Sequence, residues 1–200
     1  VASGGFANAG EDPASNIARW NGSDWAALGA GTNGTVSACI VLPTGDLIAG
    51  GHFSVPASNV AKWNGSQWLP VGEGTNGGVT CLSILSNGKL VAAGAFTTAG
   101  GAGNTVGYIA QWDGTAWAPV GSGMLVGLGG TRVNALKTMP DGALIVGGSC
   151  TTASPVPSSY IARFDGQDWM PVGVGMTVGK IVQQVNCVAA LPGGGVVAGG

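Results

Sequence analysis

The sequence predicts an all-β fold of repeated four-stranded units, and three observations predict it. A nine-residue phrase, Ile17-Ala18-Arg19-Trp20-Asn21-Gly22-Ser23-Asp24-Trp25, returns three more times, opening at Val60, Ile109 and Ile161. Its second Trp falls at 25, 68, 117 and 169, a spacing of 43, 49 and 52 residues. Periods of roughly 40 to 50 residues belong to propellers and solenoids. The apolar runs have strand length and are bounded by some of the 39 Gly, and no long helical pattern interrupts them.

Each unit divides into four segments. The first covers residues 36–42, 79–85, 133–139 and 185–191; it opens on Val and is rich in aliphatic residues. A turn follows as Pro43-Thr44-Gly45, Ser86-Asn87-Gly88, Pro140-Asp141-Gly142 and Pro192-Gly193-Gly194. Gly-containing turns of this kind close hairpins, because Gly accepts positive φ without a Cβ clash. The second segment, residues 46–51, 89–94, 143–148 and 195–200, is continuously apolar. Such a run fits a strand buried on both faces. It ends on small pairs, among them Gly50-Gly51 and Gly147-Gly148, which predict backbones in close approach near an axis.

The third segment is the Ile-Ala-Arg-Trp strand of the phrase. An Asn-Gly or Asp-Gly turn leads to the fourth, Trp-x-x-[Leu/Val]-Gly-x-Gly, seen in Trp25-Leu28-Gly29-Gly31 and Trp169-Val172-Gly173-Gly175. Four strands with tight turns at this period make the blade of a β-propeller. The aromatic positions Trp20 and Trp25, Trp63 and Trp68, Trp112 and Trp117, and Phe164 and Trp169 then fill the space between stacked sheets. Residues 1–200 read as one propeller region: a partial repeat at 1–16, then repeats at 17–59, 60–108, 109–160 and 161–200. Length varies after the Gly pair and after Gly-x-Gly, so those segments are loops, often a binding face.

The repeat count is uneven. The chain opens in a second strand, Val1-Ala2-Ser3-Gly4-Gly5-Phe6, and closes in another, giving five copies of that strand and four of each other. A closed four-bladed ring would have one strand to spare. The region is therefore expected to be an excerpt of a longer array or a subunit that assembles through open strand edges.

An apolar run ending in Gly-Gly, then an aromatic, an [Asn/Asp]-Gly turn and a Trp resembles the kelch repeat. The fuller pattern, from Gly-Gly-x-Phe to Trp-x-x-[Leu/Val]-Gly-x-Gly, is similar to kelch-like propeller repeats of secreted bacterial surface proteins, related to the fungal cortical marker of cell polarity. The resemblance spans nearly the whole chain. It implies a β-propeller and an extracellular or cell-surface location. The copper chemistry of galactose oxidase, another kelch-type propeller, needs Tyr, His and Cys ligands, and this chain, with one His and two Tyr, offers no such set.

Composition narrows the function classes. Charged residues make up 8% of the chain, against roughly 25% in an ordinary soluble domain. No apolar run approaches the roughly 18 residues of a membrane span, so membrane insertion is not expected. A net charge of −2 with no Lys/Arg cluster argues against nucleic acid. The opening residues carry no signal-peptide pattern. Cys39, Cys81, Cys150 and Cys187 lack zinc spacing. Cys81 and Cys187 share the repeat position of Ala38 and Ala135, and Cys150 that of Phe53 and Phe96, so all read as packed side chains.

Catalytic signals are sparse. His52 is the chain's one His and has no counterpart in the other repeats; no Ser-His-acid set recurs. Asp113, Asp141 and Asp165 are turn formers. Loop calcium is the one cofactor left open, without Asp-x-Asp-x-Asp spacing to support it. Arg19, Lys62 and Arg163 precede the first aromatic of their phrases and read as structural, with ring stacking or a neighbouring blade as their targets. Asn21, Asn33 and Asn64 open Asn-x-Ser/Thr triplets, two of which are the turn itself. The expected function is a non-catalytic, secreted or cell-surface scaffold for adhesion or assembly, with protein partners or further copies of itself. The alternatives are a carbohydrate-binding propeller, whose Trp rings stack on glycans, and a non-catalytic part of a larger secreted enzyme.

Overall fold

The computed structural model describes residues 1–125, 132–149, 152–153, 156–157, 159–176 and 184–200, and its regular elements there are all strands. Three sheets are complete four-stranded antiparallel blades with their strands in chain order. The first holds Val36–Val41, Leu47–Gly51, Val60–Trp63 and Trp68–Pro70. The second holds Val79–Ile84, Leu90–Gly94, Ile109–Trp112 and Trp117–Pro119, and the third Val133–Thr138, Leu144–Gly148, Ile161–Phe164 and Trp169–Pro171.

The ends are incomplete. Ala2–Ser3, Ile17–Trp20 and Trp25–Ala27 form a three-stranded sheet with no first strand, and Cys187–Ala190 and Val196–Gly199 form a separate two-stranded sheet. Two small sheets sit in the inserted segments: Asn8–Ala9 with Asp12–Pro13, and Met124–Leu125 with Thr152–Ala153 and Val156–Pro157.

Burial explains the order of strands. Every residue of the second strands Leu47–Gly51, Leu90–Gly94 and Leu144–Gly148 is buried, which is why these runs are apolar on both faces. The core lies between blades rather than within them. One layer joins Ile48 and Val60 of the first complete blade to Val79, Leu90, Phe96 and Ala110 of the second. The next joins Val91 and Ile109 to Val133, Leu144 and Phe164. The first strands of consecutive blades also pack side by side, from Val36–Val41 through to Cys187–Ala190.

One feature of the first strands is not legible in the sequence, and one expectation for the fourth strands needs correction. The first strands are not regular: the register shifts between Val36 and Ala38, Val79 and Cys81, and Val133 and Ala135, so one residue bulges out in each. The bulged side chains reach the next blade. Thr80 Oγ1 donates to the Val133 carbonyl, and Asn134 Nδ2 donates to the Val185 carbonyl at 3.2 Å. The fourth strands are also shorter than the pattern suggested. They end at Ala27, Pro70, Pro119 and Pro171, and Gly-x-Gly forms a turn instead. In the first copy Gly29 has φ +60°, Gly31 has φ +68°, and the Gly31 N–H donates to the Leu28 carbonyl at 3.2 Å. Positive φ at both positions excludes a continuing strand.

Candidate functional site

The repeated phrase builds a junction between blades. Its turn is held by one side-chain oxygen. Asn21 Oδ1 accepts the N–H groups of Ser23 and Asp24, both at 2.8 Å. Asn64, Asp113 and Asp165 do the same in their copies, at 2.8–3.0 Å. This Asx turn sets the two aromatics opposite each other across the hairpin. Trp20 pairs with Trp25, Trp63 with Trp68, Trp112 with Trp117 and Phe164 with Trp169. Their ring centroids lie 5.4, 5.4, 5.4 and 5.0 Å apart and tilted, the favoured aromatic arrangement.

The second ring of each pair is tied to the preceding blade. Trp68 Nε1 donates to the Leu28 carbonyl at 2.7 Å, Trp117 Nε1 to Val71 at 2.9 Å and Trp169 Nε1 to Val120 at 3.1 Å. The first ring lies over the Gly that follows that carbonyl. A Cβ on Gly29 would stand 2.9 Å from Trp63; on Gly72, 2.8 Å from Trp112; on Gly121, 2.8 Å from Phe164. Glycine there serves both the turn conformation and the seat for a ring. Burial follows from this docking: Trp169 is 4% exposed and Phe164 6%, whereas Trp20, on the first sheet, is 48% exposed.

The small pairs make two different close approaches. A Cβ on Gly50 would stand 2.6 Å from Val79 Cγ1 of the next blade, and one on Gly51 would meet the Thr35 carbonyl of its own. Gly147 and Gly148 repeat this against Val185 and the Arg132 carbonyl.

Grooves open between blades at the turn end. One of about 520 Å³ is lined by Asp46, Lys62, Lys89, Trp112 and Asp113. Another of about 360 Å³ has Arg19, Asp46, Trp63 and Asn64. The cations turn to carboxylates of their own blades: Lys62 Nζ lies 3.4 Å from Asp46, and the Arg163 guanidinium 2.7 Å from Asp141. The N–H groups of Ala116 and Thr115, with the Thr115 hydroxyl, hold the Asp113 carboxyl down to about 2. The Ala143 N–H and Arg163 lower Asp141, and the Asp168 and Gln167 N–H groups lower Asp165. At the other end of the second strands, Asn33, His52, Asn59 and Asn76 line a groove of about 500 Å³.

With this geometry the chain was compared with known proteins. Residues 85–111 match the family model described as a β-propeller domain of unknown function, DUF5122. The match takes in the second strand of the second complete blade, Leu90–Gly94, and all but the last residue of the third, Ile109–Trp112. The chain carries β-propeller repeats. No curated protein matches it.

The remaining candidates fall as follows. His52 is exposed, and among the described residues no three His, Cys, Asp or Glu side chains come together to hold a metal. No described helix is long and apolar enough to cross a membrane. Cys39 and Cys81 are half-buried and pack against the core, as expected of small side chains. Cys187 departs from that reading: it is exposed, because its sheet ends at two strands. Cys150 lies outside the described residues. Asn33 Oδ1 accepts the N–H groups of Ser54 and Val55, both at 2.9 Å, so its side chain ties its own loop to the one that follows the second strand. Sequence reasoning missed Asn16 and Asn59, which sit at φ +66° and +65° just before the third strand. Their Nδ2 groups donate to the Thr32 and Thr75 carbonyls at 2.8 Å. The recurrence of Asn directly before the phrase was the available signal.

Proposed function

We propose that this chain is a non-catalytic, secreted or cell-surface scaffold for adhesion or assembly. The observation that carries this reading is the recurring junction, in which Trp68, Trp117 and Trp169 each donate to a carbonyl of the preceding blade, so the repeated side chains serve to hold blades together. The carboxylates support a structural role as well. Asp113 and Asp165 hold turns, and Asp46 and Asp141 hold ion pairs within their blades. The kelch-like pattern supports the extracellular location. The native mass tests the assembly reading: a defined multiple of 19.4 kDa, or a filament, is expected, and a monomer at every concentration overturns it.

A glycan-binding reading is second. The turn-end grooves combine a Trp ring with hydrogen-bonding side chains, as Trp63 with Asn64 and Asp46, and sugars stack on such rings. Saturable quenching of Trp fluorescence by an oligosaccharide would favour it over assembly.

A further inference from the structure

We propose that the groove between the first two complete blades binds a neutral, gluco-configured saccharide, stacked on Trp112 and held by Asp113 and Lys89. The inference rests on the glycan-binding reading above and names its site and its sugar class. The groove, of about 520 Å³, opens at the turn end, and the half-buried Trp112 lines it beside Leu42, Ile48 and Val71. The ring is fixed in place. One edge lies over Gly72, and it packs tilted against Trp117 with centroids 5.4 Å apart. A ring already held by the fold offers its surface without a further cost of ordering.

Two polar groups of this groove are not used by the fold. The turn draws only on Asp113 Oδ1, which accepts the Thr115 and Ala116 N–H groups and the Thr115 hydroxyl at 2.8–2.9 Å. Asp113 Oδ2 makes no hydrogen bond among the described residues. The same donors hold the carboxyl down to about 2, so Oδ2 is a charged acceptor at neutral pH. Lys89 Nζ makes no hydrogen bond or ion pair among the described residues, although its charge helps to lower Asp113. An acceptor and a donor beside one ring suit adjacent hydroxyls: one donates to Asp113 while the oxygen of its neighbour accepts from Lys89. A pyranose whose hydroxyls are all equatorial leaves its axial C–H groups to stack on the ring face.

Charge selects a neutral ligand. Lys62 and Asp46, 3.4 Å apart, line the same groove and are closed on each other. Two cations therefore meet two carboxylates, and the groove has no net charge with which to hold a polyanion. The neighbouring junctions lack the set. At the one before, Asp46 stands at the repeat position of Lys89 and is engaged by Lys62. At the one after, the ring is Phe164, only 6% exposed, and Ala143 stands at the position of Lys89. The site is particular to one junction and does not follow from the repeat alone.

Calorimetric titration of the chain with cellohexaose, a neutral and all-equatorial probe, tests this, with an oligogalacturonate of equal length as the acidic comparison. Saturable binding of cellohexaose is expected, tighter than that of the oligogalacturonate. Asp113→Asn keeps the turn acceptor, as Asn21 and Asn64 do, and removes the charged oxygen from the groove. It is expected to weaken binding at least about tenfold. Lys89→Met keeps the stem and removes the donor, with an expected loss of about tenfold. Asp165→Asn makes the same turn substitution one junction away and is expected to leave binding as it was. Circular dichroism establishes that the variants are folded, and Lys89→Met, which leaves the Asp113 turn untouched, carries the test if Asp113→Asn is not. If cellohexaose binds and both groove variants bind it equally well, the site is wrong while the glycan reading stands. Tighter binding of the oligogalacturonate overturns the neutral class. A chain that binds neither overturns both the site and the glycan reading.

Discussion

An indole nitrogen in each complete blade finds its acceptor in the blade before it, and this bond separates equivalent tryptophans that look alike in the sequence. Trp68 donates to Leu28, 40 positions earlier, at 2.7 Å. Trp68→Phe keeps most of the ring and removes the donor, and it is expected to cost about 1 kcal/mol in urea denaturation. Trp25→Phe in the dilute chain is expected to cost much less, since Trp25 has no acceptor among the described residues. Equal losses would mean that the indole bond does not lock the blades. The packing role of these rings was legible from their recurrence. The acceptor was not, because a backbone carbonyl leaves no mark in the sequence.

At the level of elements, the hairpin turn shows how one geometry accepts two chemistries. Asn21 and Asn64 hold it with an amide oxygen, Asp113 and Asp165 with a carboxylate. The Asp113 carboxyl is lowered to about 2 from an ordinary 3.8. A lowered carboxylate stabilises fully above its unfolded value, and that contribution fades as pH falls through the folded value. Stability is therefore expected to decline gently as pH falls from about 4 toward 2, and Asp113→Asn, which keeps the acceptor, is expected to flatten that decline. An acid limb identical in the variant would place the titration elsewhere. The second strand makes a different demand. Gly50→Ala puts a methyl group 2.6 Å from Val79 Cγ1 of the next blade and is expected to cost about 1–3 kcal/mol as overpacking, read from thermal melts. The Gly pair signalled this close approach; the bulges in the first strands carried no such signal, since Ser37, Thr80 and Asn134 share no residue type.

Across the whole molecule, each core layer is shared by two neighbouring blades, so stability is a chain of nearest-neighbour terms. The middle of the array is covered on both sides and the ends on one. Amides of Leu90–Gly94, where every residue is buried, are expected to exchange at least about tenfold more slowly in the dilute chain than those of Val196–Gly199, which is only partly buried. Uniform protection would mean that the ends are closed. The sequence by itself determined the blade, its period and its turns, because those follow from local periodicity and from glycines and aromatics at fixed spacing. Only the tertiary structure decided which ring docks on which glycine, and that Cys187 and Trp20 are exposed while their equivalents are packed. Those features depend on whether a neighbouring blade is present, and burial by a neighbour is a property of the array rather than of any one repeat.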